Sequence, residues 1–376
     1  MPIKFKIDKN IFLAALNSLQ SITAKKGSMA ILANILLKVQ NNSIEMIGTD
    51  LEVGIKKRVD GEVHSPGSIT LPSKKLFEIV RESGTDSIEI EEHDNNWVKI
   101  NTGKSVYNLA GISSEEYPQF PEYSEEEMVE VSSDTIKELI EKTIFSVAQE
   151  RESNFTLTGV LLESEPKNDV PYLRMVSSDG HRLTVMEKES PLDISQFGIE
   201  KNIIIPRKGI VEIKRFCDGY ETVFIGIDKK QIIVKTDDGL IVVRLMNGDF
   251  PDYKSILNVI NKENNIEIEK STFLESLKRT SIFTDDTFNS IQLDIKENKI
   301  ILSSNNLDIG NAKDEILLKY NGEEISLGFN CKYLIDTLNI IYGDVIKAYI
   351  SSDQSPCLIV SDDDEGFFSI IMPMKI

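Results

Sequence analysis

The sequence predicts an α+β chain built from three similar domains, and three observations carry that prediction. A strand, an amphipathic helix and a run of short strands recur in the same order three times, at a spacing of about 125–135 residues, the size of one small domain. Strand segments alternate apolar and polar residues with period two, while helix segments repeat their apolar residues at i, i+3 and i+4. Two breaks separate the copies: the acidic, Pro/Ser-containing stretch 122–127 and the Asn- and Pro-rich stretch 251–265. Domains are therefore expected at 1–124, 125–253 and 254–376.

Each copy begins with a short alternating strand: Phe5-Lys6-Ile7, Val129-Glu130-Val131 and Ile266-Glu267-Ile268. A helix follows, with an apolar stripe at Ile11, Phe12, Ala15, Leu16 and Leu19, at Ile136, Leu139, Ile140 and Ile144, or at Phe273, Leu274 and Leu277. Next come strands starting at Asn34, Gly159 and Ser290, then a second strand ending in a small polar pair: Thr49-Asp50, Ser178-Asp179 or Ser304-Asn305. A strand running straight into a second helix recurs in ITLPSKKLFEIV from Ile69, NIIIPRKGIVEI from Asn202 and EISLGFNCKYLIDTL from Glu324. Six helices are expected, over 9–21, 73–83, 133–147, 207–218, 270–281 and 331–342.

Length and composition agree with this plan. A chain of 376 residues is too long for one ordinary core, and 40% hydrophobic with 27% charged residues is the range of folded proteins. Cys217, Cys331 and Cys357 show no paired spacing, which argues against a disulfide framework or a Cys-based zinc site and fits a reducing cytosol. The start, Met1-Pro2-Ile3-Lys4-Phe5, shows no apolar signal-peptide core, and no apolar run approaches the roughly 20 residues of a membrane helix. No phosphate-binding loop, dinucleotide fingerprint or metal-ligand cluster stands out, so no cofactor is implied.

A net charge of −19 argues against a nucleic-acid binder, because an acidic surface repels phosphate. The charge is segregated, however. The six expected helices carry a net +5, which leaves −24 on the rest of the chain. Helices lining one surface would give a basic face that tracks phosphate without reading bases, and the acidic remainder would keep the protein soluble.

Several segments resemble the beta subunit of bacterial DNA polymerase III, the sliding clamp: GTDLEVGIKKRV from Gly48, LPSKKLFEIV from Leu71, SSDGHRLTVM from Ser177, IIPRKGIVEIKRF from Ile204, NGDFPDYKSIL from Asn247 and IIMPMKI from Ile370. They span the whole chain in the family's order. The resemblance implies three clamp domains, each with two helices packed on antiparallel sheet. Two chains would close head to tail into a six-domain ring with helices inside. It implies a cytoplasmic, non-catalytic processivity factor that encircles double-stranded DNA without sequence preference. Its partners would be the polymerase III catalytic subunit, the clamp loader and other replication and repair proteins that bring short peptide motifs.

Site residues follow from the same resemblance. The partner-peptide cleft would be walled by Leu157, Ser178, Gly180, His181, Arg182, Leu183, Pro251, Ile256, Ile370, Met372 and Met374, with Arg182 orienting the peptide's polar end. Met372 and Met374 flank Pro373 in an expected terminal strand, so both should face one side, and their adaptable side chains suit many partners. DNA contacts would come from Lys25 and Lys26, from Arg151, and from Lys74, Lys75, Arg207 and Lys208 on the inner helices. Ala30 and Asn154 depart from a family Pro and Arg beside those loops. The ring seam would join Tyr107 and Leu109 of one chain to Ile282 and Phe283 of the other. Two other readings compete: a protein-only scaffold that uses the cleft, and a hydrolase built on Ser178, Asp179 and His181, which lacks any nucleophile-elbow context.

Overall fold

The computed structural model describes residues 2–375 apart from 24–28, 126, 150–154, 169, 200–201, 229, 263–264, 286, 351 and 353. Repeat one runs β1 (Lys4–Asp8), α1 (Lys9–Thr23), β2 (Asn34–Gln40), β3 (Ser43–Thr49), β4 (Val53–Asp60), β5 (Glu62–Ser65), β6 (Gly67–Pro72), α2 (Ser73–Arg81), β7 (Ser87–Glu92), β8 (Trp97–Thr102), β9 (Ser105–Ala110) and β10 (Ile112–Ser113). Repeat two runs β11 (Val129–Ser132), α3 (Ser133–Thr143), β12 (Gly159–Lys167), β13 (Val170–Ser178), β14 (Arg182–Glu189), β15 (Ile203–Pro206), α4 (Arg207–Cys217), β16 (Thr222–Ile227), β17 (Gln231–Thr236) and β18 (Gly239–Arg244). A short helix, α5 (Lys254–Asn258), leads into repeat three. That repeat runs β19 (Asn265–Glu269), α6 (Lys270–Thr280), β20 (Ser290–Lys296), β21 (Lys299–Asn306), β22 (Gly310–Leu317), β23 (Ile325–Asn330), α7 (Cys331–Ile340), β24 (Val345–Tyr349), β25 (Cys357–Val360) and β26 (Phe367–Ile371).

All six expected helices form where the periodicity puts them. Five end one to four residues early and α1 runs two residues long; α3 ends earliest, tightening into a 3₁₀ turn at Ile144–Ser146, and α6 tightens into one at Ser281–Phe283. Helix α5 was not expected. Five residues are too few for a periodic signal, and this helix is held by what it packs against rather than by propensity.

Every repeat spreads its strands over two antiparallel sheets. One follows the order β1-β7-β8-β9, matched by β11-β16-β17-β18 and β19-β24-β25-β26. The other follows β6-β2-β3-β4, matched by β15-β12-β13-β14 and β23-β20-β21-β22. Sheets then continue across the repeat boundaries. Strand β18 pairs antiparallel with β4, and β26 pairs with β14. This continuity divides the middle repeat, and the chain forms two compact units. One is Met1–Ile136 with Phe197–Ile199 and Lys208–Leu245; the other is Lys137–Gln196 with Glu200–Arg207 and Met246–Ile376. Among the described residues, the equivalent strands β9 and β22 are left as sheet edges.

Within the first unit, Phe12, Leu16 and Leu19 of α1 are fully buried against the sheet. Within the second, Phe273 and Leu277 of α6 and Leu334 and Leu338 of α7 are buried in the same way. No helix among the described residues is long and apolar enough to cross a membrane.

Candidate functional site

The turn between β13 and β14 is built by its own side chains. Gly180 takes φ +87, a left-handed conformation that glycine adopts without a Cβ clash. Asp179 accepts from the backbone N–H groups of His181 and Arg182 at 3.0 Å through Oδ1, and from Arg182 Nε at 3.0 Å through Oδ2. Ser178 Oγ donates to the Arg182 carbonyl at 2.7 Å and accepts from the Gly180 N–H at 3.1 Å. These are turn contacts. The Ser178 hydroxyl proton and both Asp179 oxygens are committed to the turn, so Ser178, Asp179 and His181 do not form a catalytic relay.

Arg182 differs from expectation. Its side chain is 9% exposed, Nη1 donates to Asp336 Oδ2 at 2.7 Å and Nη2 to the Phe145 carbonyl at 2.6 Å. The guanidinium also lies 4.4 Å from the Tyr333 ring centroid. It is a strut tying β14 to α7, with Nε, Nη1 and Nη2 each already donating, and not a free cation for a peptide's polar end.

Beside this turn lies an apolar cluster. Leu157, Leu161, Leu183, Ile204 and Ile370 are buried in it with Phe250 and Tyr253, and Ile256, Leu257 and Ile260 pack on its margin. Four expected cleft residues, Leu157, Leu183, Ile256 and Ile370, therefore meet in one place. Ser178, Gly180 and His181 form the adjoining turn, and Pro251 is exposed between Phe250 and Tyr253. The terminal strand is shorter than expected. It stops at Ile371 because Pro373 has no N–H to donate. Met372 still donates its N–H to the His181 carbonyl at 2.9 Å and is 36% exposed, whereas Met374 crosses to bond Gly328. The two methionines thus address different strands rather than one strand face.

Tyr253, Phe250, Leu257 and Ile260 were not among the sequence-predicted cleft residues. The signal lay in FPDYKSILNVI, an aromatic pair followed by apolar residues at helical spacing. Tyr253 pins this segment: its hydroxyl donates to Glu163 Oε2 at 2.6 Å and accepts from Arg174 Nη1 at 3.2 Å. Burial, then the bond to the Glu163 carboxylate, pushes the phenol well above its ordinary range.

The expected DNA contacts Lys25, Lys26 and Arg151, with Asn154, lie outside the described residues; Ala30 opens a 3₁₀ turn, Ala30–Ala33. Lys74 is exposed on α2, and Lys75 beside it bonds Glu78 at 2.8 Å. Arg207 is exposed at the start of α4 with Nη1 on the Val147 carbonyl, while Lys208 is ion-paired with Asp50. Of these four, Lys75 and Lys208 are ion-paired, Lys75 with Glu78 on its own helix and Lys208 with Asp50 in the β3–β4 turn.

The expected seam residues sit at the two sheet edges. Tyr107 and Leu109 are half-buried on β9. Ile282, 68% exposed, and Phe283 follow α6, and the Phe283 ring lies 3.4 Å from where a Cβ on Gly310, the first residue of β22, would stand. All three cysteines are buried and none is in a disulfide, and burial pushes the Cys357 thiol up to about 12 and the Cys331 thiol up to about 11.

Family models described as the N-terminal, central and C-terminal domains of the DNA polymerase III beta subunit match residues 3–121, 130–252 and 259–375. The beta sliding clamp of Vibrio cholerae is 28% identical over 377 residues, covering 100% of both chains. The beta sliding clamp of Escherichia coli strain K12 is 27% identical over 379 residues, again covering 100% of both. Among solved structures, a Caulobacter crescentus beta sliding clamp with polyethylene glycol bound at a putative beta-motif tethering region has a TM-score of 0.92 at 27% identity, covering 100% of both chains. A Pseudomonas aeruginosa sliding clamp bound to griselimycin has a TM-score of 0.91 at 26% identity over 100% of both chains.

Proposed function

This chain belongs to the family of DNA polymerase III beta subunits, the sliding clamps, and on that premise we propose how it performs a clamp's work. It is a non-catalytic processivity factor with a hydrophobic peptide-binding cleft. Two copies close into a six-domain ring around duplex DNA, and each copy contributes domains 1–124, 125–253 and 254–376.

The observation that carries the ring is the account of sheet edges. Strand β18 finds β4, and β26 finds β14, each antiparallel. The third pair of equivalents, β9 and β22, stays unmatched among the described residues. An open edge invites another strand, and a two-fold head-to-tail dimer satisfies both edges at once. Both edges also expose apolar side chains. Trp97 and Val106 are 49% and 54% exposed near one, and Leu307, Ile309 and Leu317 are 96%, 61% and 78% exposed at the other. Tyr107 and Leu109 of one copy then meet Ile282 and Phe283 of its partner.

DNA is held by phosphate contacts from Lys74, Lys75, Arg207 and Lys208, joined by Lys25, Lys26 and Arg151. Such contacts bind any sequence and weaken with salt. The polymerase catalytic subunit, the clamp loader and other replication and repair proteins dock short apolar motifs into the cluster around Leu157, Leu183, Ile256 and Ile370, in the cytoplasm. Met372 supplies an adaptable rim.

Primer extension by the cognate polymerase on a singly primed circular template tests this reading. With clamp loader and this protein present, products should lengthen many-fold at fixed polymerase. Unchanged product length would favour a protein-only scaffold that uses the cleft and never holds DNA.

A further inference from the structure

The motif F-P-acid-Y occurs twice, as Phe120-Pro121-Glu122-Tyr123 and Phe250-Pro251-Asp252-Tyr253, 130 residues apart. Each copy follows the last strand of a repeat. Both aromatic residues of the second are buried in the cleft cluster. The first lies on the equivalent sheet, where Phe120 packs with Tyr117, Leu36 and Ile47 on one side and with Leu240 and Val242 on the other.

Strand register shows what differs between the two places. Beside the second motif, the row Glu163–Arg174–Glu187 crosses β12, β13 and β14. At the same positions beside the first motif, Lys38–Glu45–Arg58 crosses β2, β3 and β4. Every sign is reversed. Tyr253 finds a carboxylate at Glu163; the equivalent position beside the first motif holds Lys38, an ammonium that cannot accept a hydrogen bond, and the Tyr123 hydroxyl bonds Glu125 instead. Lys56 stands where Val185 stands, and Gly54 where Leu183 stands. A Cβ at Gly54 would lie 2.9 Å from the Phe120 ring, so glycine is what lets that ring drop onto the sheet.

The result is an open groove of about 560 Å³ walled by Phe120, Tyr123, Lys38 and Lys56, with Gln119 and Glu122 on its rim. The ammonium of Lys56 lies 4.9 Å from the Phe120 centroid and 5.8 Å from that of Tyr123. Lys38 and Lys56 share a single carboxylate, Glu45, at 3.9 and 3.6 Å, beyond hydrogen-bonding distance. Glu125 also acts on Lys56 but is itself bonded by Lys235 and Tyr123, which leaves the two ammonium groups beside two aromatic faces with Glu45 as their shared, distant counter-ion. The wall is also fixed in advance. Gln231 Nε2 donates to the Glu122 carbonyl at 2.7 Å, and Lys235 bonds Glu125 at 2.5 Å.

We propose that this groove is a second docking site, which takes an acidic peptide segment of a partner protein. One carboxylate of the segment bridges Lys38 and Lys56, and a neighbouring apolar or aromatic side chain lies against Phe120 and Tyr123. A nucleic acid fits less well, because it cannot bring one phosphate without its neighbours, and those would meet Glu122 and Glu125, whereas a peptide can place a single carboxylate over the lysines. The inference goes beyond the clamp reading and does not need the ring.

The test uses the full-length protein and a fluorescein-labelled peptide with one acidic and one aromatic residue, Gly-Ser-Asp-Trp-Ser-Gly, followed by fluorescence anisotropy. Binding is expected to weaken as NaCl rises from about 0.05 to about 0.5 M. The double variant K38E/K56E should weaken it by about tenfold or more, equivalent to about 1.4 kcal/mol. A control reversal at exposed lysines, K319E/K332E, and the cleft variant Ile256→Ala should each change it by less than about twofold. Tyr123→Ser, which keeps both lysines, should weaken it as well and serves if the double variant fails to fold. No binding to the wild-type protein, an equal loss in the control reversal, or preference for an oligothymidylate over the peptide would overturn the proposal. None of these outcomes bears on primer extension, which reads the clamp function separately.

Discussion

At the scale of single residues, Ile256 and Asp238 make different predictions. Ile256 sits on the margin of the cleft cluster rather than inside it, so its truncation leaves the buried residues in place. Ile256→Ala should weaken a partner peptide bearing Leu and Phe by about tenfold, within the usual range for a central apolar contact, with the melting temperature little changed. Calorimetric titration checks the first and a thermal scan the second. Burial raises the pKa of Asp238 more than any other single influence. Hydrogen bonds from Lys57, Tyr220 and Thr236 and the Lys57 charge together overturn it and hold the carboxyl below its ordinary value. A carboxyl depressed in the folded state adds stability above its unfolded pKa, near 4, and loses it as pH falls through the folded value. The wild-type advantage over Asp238→Asn should therefore be full at pH 6 and shrink below about pH 4 in a series of thermal scans. An advantage that stays constant with pH would contradict this.

At the scale of elements, the two junctions inside the chain share a latch. Lys57 bonds Asp238 and Tyr220, each at 2.8 Å, and Asp238 lies in the β17–β18 turn. Lys142 bonds Asp364 at 2.5 Å and the Ile340 carbonyl at 2.8 Å, its ammonium is 3.2 Å from the Tyr342 centroid, and Asp364 lies in the equivalent β25–β26 turn. Both side chains of the second latch are 2% exposed. Removing one member of such a pair strands the other, so Lys142→Met should cost about 3–5 kcal/mol by chemical denaturation, and Lys142→Met with Asp364→Leu should recover much of it. The corresponding β8–β9 turn, Thr102-Gly103-Lys104, carries a cation where the others carry the acid. The proposed seam therefore lacks the latch, and the dimer should separate at lower urea than either unit unfolds. The pair Leu109→Asp with Ile282→Asp should give a monomer near 42.3 kDa by light scattering where the wild-type chain gives about twice that mass. A variant that stays dimeric would remove these two edges from the seam. Helices and strands were legible in the sequence because their apolar periods are strong. The latches were not, since each joins residues 181 or 222 positions apart through a register that only packing decides.

At the scale of the whole molecule, the threefold repeat was readable from the recurrence of GTDLE, SSDGH and SSNNL beside their strands. The joining of sheets across repeats was not, because β18 and β26 read as ordinary buried strands whichever neighbour they take. Arg182 shows the same limit at the candidate site. Sequence placed it beside the cleft, but Asp336 and the Phe145 carbonyl, brought in by other elements, decide what its charge does. In the proposed ring, segregation of charge is what would let an acidic chain hold DNA: exposed Lys74 and Arg207 lie on helices, whereas the acidic excess lies elsewhere.

Encirclement is the claim on which the clamp reading stands, and retention on DNA of different topology tests it most directly. The labelled protein is loaded on nicked circular plasmid by its clamp loader, freed of unbound protein, and followed with and without a single linearising cut. The account predicts that it stays on circles and leaves after the cut by sliding off the ends. Equal retention on both forms would contradict encirclement and mean that the protein holds DNA by contact alone.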